Sequence, residues 1–411
     1  MSNAGTTILA PTVKETLAGG ISISIIALVD ALIVEAHNKR ASDIHIDPTH
    51  EMVRVRLRID GVLQDAHSFS KNIHSEVISR IKVLASLRTD EHQATQDGRF
   101  RHALLGGEQV DIRVSIAPTY HGENAVLRLL SDKAENYTLG DLGFSEKDQK
   151  EILHAIKKPN GMILATGPTG AGKTTTLYTL VKMLNTKEVS IVTIEDPIEY
   201  AVEDVEQIQV NPRTGLTFAN GLRSLLRQDP NIIMVGEIRD SETAGIAVNT
   251  ALTGHLLLST LHTNDATTTL PRLLDMGIDA YLVASTINIA IGQRLVRRIC
   301  THCKEVMEIT PAMKESLALL PLKTPVRERE TFFKGKGCEK CQGSGYGGRV
   351  CINEVLVADT EIREAILRKA SAAELRTIAV KNGMTTMLED GFGKIRSGDT
   401  TIEEILRVVH E

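Results

Sequence analysis

The chain has 411 residues, enough for two or three domains with cores of their own. Its 47 basic and 52 acidic residues nearly balance, for a net charge of −5, which argues against a large basic surface for nucleic acid. Aromatic residues make up 3% and Trp is absent, so base-stacking platforms are scarce, and five cysteines without a secretory signal fit a reducing, cytosolic setting.

Residues 1–20 read as a tag and loose lead-in, with Met1-Ser2-Asn3-Ala4 as a cloning scar. The apolar stretch 21–34 contains Asp30 and is too short to span a bilayer, so it reads as a buried amphipathic helix over 25–36. A short strand over 42–48 ends at Pro48. Residues 53–61 alternate apolar and charged and turn at Asp60-Gly61, a half-buried strand with Arg54, Arg56 and Arg58 on one face. Helical spacing over 73–87, a turn at 96–100, and strands at 110–114 and 125–130 complete a small α+β domain. Arg113 and Arg128 lie within otherwise apolar strands. They either supply the extra cation that phosphoryl transfer often needs or form a structural ion pair, with Asp111 or Glu123 as partners. The polar stretch 131–136 reads as an interdomain hinge.

The apolar run 162–166 leads into Gly167-Pro168-Thr169-Gly170-Ala171-Gly172-Lys173-Thr174, which fits G-x-x-x-x-G-K-[ST]. A helix over 175–184 follows. Glycines let the backbone wrap an anion, and the freed N–H groups and the helix N-terminus then point at phosphates. Residues 167–174 with Thr175 form the expected nucleotide-binding set. Lys173 reaches the β/γ-phosphates, and the Thr174 hydroxyl ligates Mg²⁺. The strand from 190 runs into an acidic turn stopped by Pro197, where Glu195, Asp196 and Glu199 are candidates to orient water or attend Mg²⁺. A buried strand over 231–235 ends in Gly236-Glu237, whose carboxylate suits a water-mediated Mg²⁺ contact. The apolar strand of 254–264 carries His262 at its polar tip, within reach of a γ-phosphate, and His255 at its base.

Cys300-x-x-Cys303 and Cys338-x-x-Cys341 supply four thiolates on two tight turns, an S₄ set suited to structural Zn²⁺ with no position left for water. Six glycines between 335 and 348 suit a knuckle. His302 is a weaker ligand candidate, and Cys351 reads as a small buried apolar residue. Residues from 359 on read as short helices capped at Ser371 and Thr401, with packing as their role.

Four segments in this order resemble the secretion ATPase superfamily, the motors of type II secretion and type IV pilus assembly. They are the phosphate loop, Glu195-Asp196-Pro197-Ile198-Glu199, Leu226-Arg227-Gln228-Asp229-Pro230 with Gly236-Glu237-Ile238-Arg239-Asp240, and Thr253-Gly254-His255 with Leu261-His262-Thr263. Ser42-Asp43-Ile44-His45 and Arg58-Ile59-Asp60-Gly61-Val62-Leu63 resemble that family's N-terminal domain. The resemblance implies a RecA-like motor domain behind a PAS-like domain, assembled as a homohexamer that hydrolyses ATP with Mg²⁺. It implies Glu199 as general base, Glu237 as Mg²⁺-site acid, His262 as γ-phosphate contact, and Arg113 and Arg128 as arginines that reach the nucleotide. Implied partners are an inner-membrane platform protein and a membrane-associated docking protein, so the location is cytoplasmic and peripheral at the inner membrane. The domain that docks on the latter in larger members is not in this chain, which is then a truncated form or a short member.

The division expected is a PAS-like domain at 21–131, a linker at 132–140, the ATPase core at 141–299, a zinc subdomain at 300–353 and a helical tail at 354–411. A RecA-like nucleic-acid translocase and a nucleotide-regulated scaffold are the competing functions. Balanced charge and few aromatics weigh against the first, and a complete set of catalytic acids against the second.

Overall fold

The computed structural model describes residues 13–18, 24–104, 109–130, 137–308, 310, 317, 320–322 and 330–409. The chain forms two units, 1–134 and 135–411. The expected hinge at 131–136 lies outside the described residues.

In the first unit, helices α1 (Val13–Ala18), α2 (Ile25–Asn38) and α3 (His74–Leu84) accompany six strands, β1 (Ala41–Pro48), β2 (Met52–Ile59), β3 (Val62–Ser70), β4 (Gln96–Ala103), β5 (Gln109–Thr119) and β6 (Gly122–Leu130). The sheet is antiparallel, in the order β3-β2-β1-β6-β5-β4. Leu28, Ile33, Val77 and Ile81 of the helices pack on alternate strand residues such as Ile44, Val55, Ile112 and Leu127. The period of two therefore leaves the charged residues of the same strands on the opposite face. The turn expected at 96–100 is instead the start of β4, where Phe100 pairs with Ile112 and reaches the core while Asp97, Arg99 and Arg101 point outward. Strand β3 also was not foreseen. Its residues are mostly half-buried or exposed, as on an edge strand.

The second unit is built on seven strands, β7 (Gly161–Thr166), β8 (Ile191–Glu195), β9 (Glu206–Gln209), β10 (Ile232–Val235), β11 (Leu256–Leu261), β12 (Ile287–Ile299) and β15 (Tyr346–Val357), in the order β15-β12-β7-β11-β10-β8-β9. All neighbours are parallel except β12 and β15. The four central parallel strands β7, β8, β10 and β11 are buried at every position, as strands covered by helices on both faces are. Met162 and Leu164 of β7 enter the core formed with α6 (Phe218–Leu225), α7 (Ser241–Leu252), α8 (Ala266–Asp275) and α9 (Ala280–Thr286). Ile163 and Ala165 enter the opposite core, with α4 (Glu146–Ile156) and α5 (Lys173–Leu184). This alternation is the RecA-like α/β fold expected from sequence. A two-stranded sheet of β13 (Lys304–Met307) and β14 (Phe332–Gly335) carries the cysteine pairs. Four helices, Thr360–Leu367, Ala372–Lys381, Met387–Ser397 and Ile402–Val409, follow β15. Ser371 and Thr401 accept from backbone N–H groups three residues on, as caps do. Among the described residues, no helix is long and apolar enough to cross a membrane.

Candidate active site and metal centre

In open α/β sheets, ligand-facing groups gather beyond the carboxyl ends of the strands. Here β7 ends at Thr166 and the chain turns at once through the glycine loop into α5. Gly167 has φ +142°, and a Cβ on it would lie 2.3 Å from the carbonyl oxygen of Gln293 on β12, so only glycine lets the loop seat against that strand. Pro168, Thr169, Gly170 and Thr174 are exposed, and Ala171 is buried. The Lys173 ammonium donates to the carbonyls of Gly167 (2.8 Å) and Pro168 (3.0 Å). Burial lowers its pKa, opposed by the nearby Glu237 carboxylate. The loop thus presents an exposed rim, a helix N-terminus and a buried cation, the donor set a triphosphate requires.

Glu237, just past β10, is 8% exposed. Its Oε2 receives both Arg239 Nε (2.7 Å) and His262 Nε2 (3.0 Å). The sequence-predicted Lys173, Glu237 and His262 are therefore brought together by the ends of three adjacent strands, β7, β10 and β11. The loop after β11 is tied back to β7, since Thr263 N donates to Thr166 Oγ1 (3.1 Å) and the two hydroxyls are hydrogen-bonded. His255 stays at the amino end of β11, bonded to Thr250 O (3.2 Å).

The three carboxylates of the acidic segment separate. Glu195 is the last residue of β8 and faces inward, 2% exposed. It accepts from Tyr178 Oη on α5, Thr193 Oγ1 (2.5 Å) and Gln207 Nε2 (3.1 Å). Held by three side chains in the interior, it differs from the candidate to orient water or attend Mg²⁺ considered from sequence. Burial and the Glu195 carboxylate push the Tyr178 phenol well above its ordinary value, so it stays a donor. Asp196 and Glu199 are exposed, and the Glu199 backbone N–H donates to Tyr178 Oη (3.4 Å), which ties the acidic turn to the phosphate-loop helix. Arg239, Tyr178 and the Thr166–Thr263 latch were not singled out from sequence. The Glu-x-Arg spacing at 237–239 was the one available signal.

In the first unit, Arg113 and Arg128 stand opposite each other on the outward face of the sheet. The row continues to Arg99 on one side and to Asp43 and Arg58 on the other. Arg128 Nε donates to Asp43 Oδ1 (2.9 Å), and Arg58 Nε lies 3.3 Å from Oδ2. Burial would raise the Asp43 pKa, but the hydrogen bonds from Arg128 and Ser42 lower it overall. The ion pair of Arg128 is thus with Asp43 and not with Asp111 or Glu123. Glu123 instead holds Lys82 (2.7 Å) and His92 (2.8 Å).

The ligand atoms of Cys300, Cys303, Cys338 and Cys341 all lie within 4.8 Å of one another. Three sulfur pairs are 3.6, 3.8 and 3.9 Å apart. Four thiolates about 2.3 Å from a tetrahedral zinc sit about 3.8 Å from each other, so the residues fit that ion. Backbone N–H groups of Gly337, Cys338 and Gly345 point at the Cys303 and Cys341 sulfurs at 3.1 to 3.3 Å, as outer-shell donors do. A Cβ on Gly335 would fall 1.9 Å from Gly345 O, which accounts for two of the glycines. His302 is exposed, bonds Lys340 Nζ (2.7 Å) and stays out of the cluster. Cys351 is buried in β15 with Sγ 3.8 Å from Ala171 O.

Fold and phosphate loop together define a RecA-like P-loop ATPase. The family described as Type II/IV secretion system protein matches residues 21–407, and the chain belongs to it. The type II secretion system protein E of Xanthomonas campestris pv. campestris is 46% identical over 387 residues, 94% of this chain and 68% of the relative. The type IV pilus assembly ATPase PilB of Thermus thermophilus is 46% identical over 378 residues, 92% of this chain but only 42% of the relative. Among solved structures, the pilus retraction motor PilT with bound ADP aligns with TM-score 0.62 at 27% identity, covering 92% of this chain and 96% of that one. The Legionella pneumophila ATPase DotB aligns with TM-score 0.68 at 23% identity, over 93% and 95% of the two chains, a likeness of fold.

Proposed function

We propose that the chain is the motor of a type II secretion or type IV pilus assembly system, working as a homohexamer that hydrolyses ATP to move an inner-membrane platform protein. The observation that carries this reading is the convergence of Lys173, Glu237 and His262 where the parallel strands end. ATP binds along residues 167–175, with Lys173 turning from the loop carbonyls to the β/γ-phosphates. Mg²⁺ offsets phosphate charge when bound, with the Thr174 hydroxyl as its ligand and Glu237 attending it through water. His262, held by Glu237, donates to the γ-phosphate. Glu199, on the exposed turn tethered to Tyr178, orients the attacking water and takes its proton.

Arg113 and Arg128, opposite each other on the outward face of their sheet, are the proposed phosphate-contacting arginines. One Zn²⁺ in the tetracysteine cluster is structural. A membrane-associated docking protein joins the platform protein as partner, nucleic acid is no part of the cycle, and the location is cytoplasmic at the inner membrane.

The test pairs two variants. Lys173→Ala abolishes nucleotide binding or turnover, and Glu199→Gln keeps fluorescent-nucleotide binding while phosphate release stops. Normal turnover in Glu199→Gln would remove the assignment of the base.

A further inference from the structure

Glu354 is a carboxylate in the middle of a core strand, 1% exposed, which is a costly place for an acid without a task. It lies on β15 opposite Gly292 of β12. Its two oxygens serve two helices. Oε1 accepts from Ala266 N (2.8 Å), at the start of α8, and Oε2 accepts from Met387 N (3.3 Å), at the start of the helix Met387–Ser397. The fit is close, because a Cβ on Gly292 would lie 2.9 Å from both Ala266 N and Glu354 Cγ.

Only three residues separate Ala266 from His262. The intervening loop is pinned at its other end by Thr263, bonded to Thr166 at the close of the phosphate-loop strand. The Asp265 side chain is already committed to α8, accepting from Thr268 N (2.7 Å). The Ala266 N–H, at the hinge between loop and helix, is held by Glu354 alone among the described residues. We propose that Glu354 is a positioning residue for His262: by gripping Ala266 N it fixes the loop 262–265 so that the imidazole stays on Glu237 and faces the γ-phosphate. This inference rests on the reading of His262 given above.

Glu354→Gln changes little in size but exchanges one acceptor oxygen for a donor, which then meets a backbone N–H. Glu354→Gln, His262→Ala and the double variant of the 411-residue chain are assayed for ATP turnover, and amide hydrogen exchange is followed in peptides covering 262–266. The expected result is a fall in kcat of about tenfold for Glu354→Gln with KM for ATP unchanged, as for a group displaced by a fraction of an ångström. Exchange at 262–266 quickens, and the double variant is no slower than His262→Ala. Multiplying losses in the double variant, or wild-type exchange at 262–266, overturn the proposal. A fall in His262→Ala with wild-type kcat in Glu354→Gln overturns the positioning role alone. Wild-type kcat in His262→Ala overturns the reading of the site and the role with it. If Glu354→Gln does not fold, Glu354→Asp, which keeps both acceptors and shortens their reach, is measured in its place.

Discussion

His262 Nε2 lies 3.0 Å from Glu237 Oε2, and Arg239 Nε lies 2.7 Å from the same oxygen. One carboxylate oxygen thus gathers an imidazole and a guanidinium beside the phosphate loop, whose lysine feels the same charge. Glu237→Gln weakens all three attractions at once. The expected outcome is a loss of turnover of about 10²-fold or more, with nucleotide binding kept, measured by phosphate release and by titration with a fluorescent nucleotide.

Tyr178→Phe isolates the link between the phosphate-loop helix and the acidic turn. It strips a donor from buried Glu195, which keeps Thr193 and Gln207, and frees the Glu199 N–H. The expected cost is about 1–3 kcal/mol, read from denaturant midpoints, together with slower hydrolysis. A change in stability without any change in kcat would confine Tyr178 to packing.

The two outward arginines are tested one at a time. Arg128→Ala removes one of the two cations on buried Asp43, leaving Arg58 and Ser42, so a lower melting temperature accompanies any kinetic loss. Arg113→Ala is expected to slow hydrolysis and leave the melting temperature unchanged. Unchanged kinetics with a lower melting temperature would instead mark Arg113 as structural.

Metal analysis of freshly purified protein is expected to give about one zinc per chain, as four cysteines in one tetrahedral site require. Chelation lowers the melting temperature, and Cys338→Ser reproduces the effect without chelator.

Acid stability has an identifiable contributor in Glu404. Burial alone would raise its pKa, but Arg297 (2.6 Å) and Arg407 (3.0 Å) outweigh burial and bring it to about 2, from an ordinary 4.5. The folded value is depressed, so this stabilisation is full above pH 4.5 and disappears as pH falls from there towards about 2. Glu404→Gln should therefore flatten the melting temperature across that window and lower it at neutral pH.

The legible parts of the chain were those where chemistry and periodicity agree. The apolar run at 162–166 and the loop at 167–174 could hardly be misread, because a strand buried on both faces leaves no polar interruptions before its glycines. The cysteine pairs announced their geometry by spacing. Edge strands were harder. β3, β4 and the short polar β9 have exposed backs, and Asp97-Gly98 imitates a turn although Phe100 two residues on is anchored in the core. Glu195 was grouped with Asp196 and Glu199 as a ligand-facing candidate because the three carboxylates fall within five residues at a strand end. Strand parity gives the correction, since Ile191, Thr193 and Glu195 share the face that meets Tyr178. Glu354 had no local signature at all. Its meaning depends on helices that begin 88 residues before it and 33 after.

The strand order has a consequence for biosynthesis. β7, at residues 161–166, is flanked by β11 at 256–261 and β12 at 287–299, so neither neighbour exists until about 90 more residues have left the ribosome. The segment that carries the nucleotide loop therefore emerges early and waits with both edges unpaired, and an interruption of translation before residue 287 leaves it open to aggregation on one side.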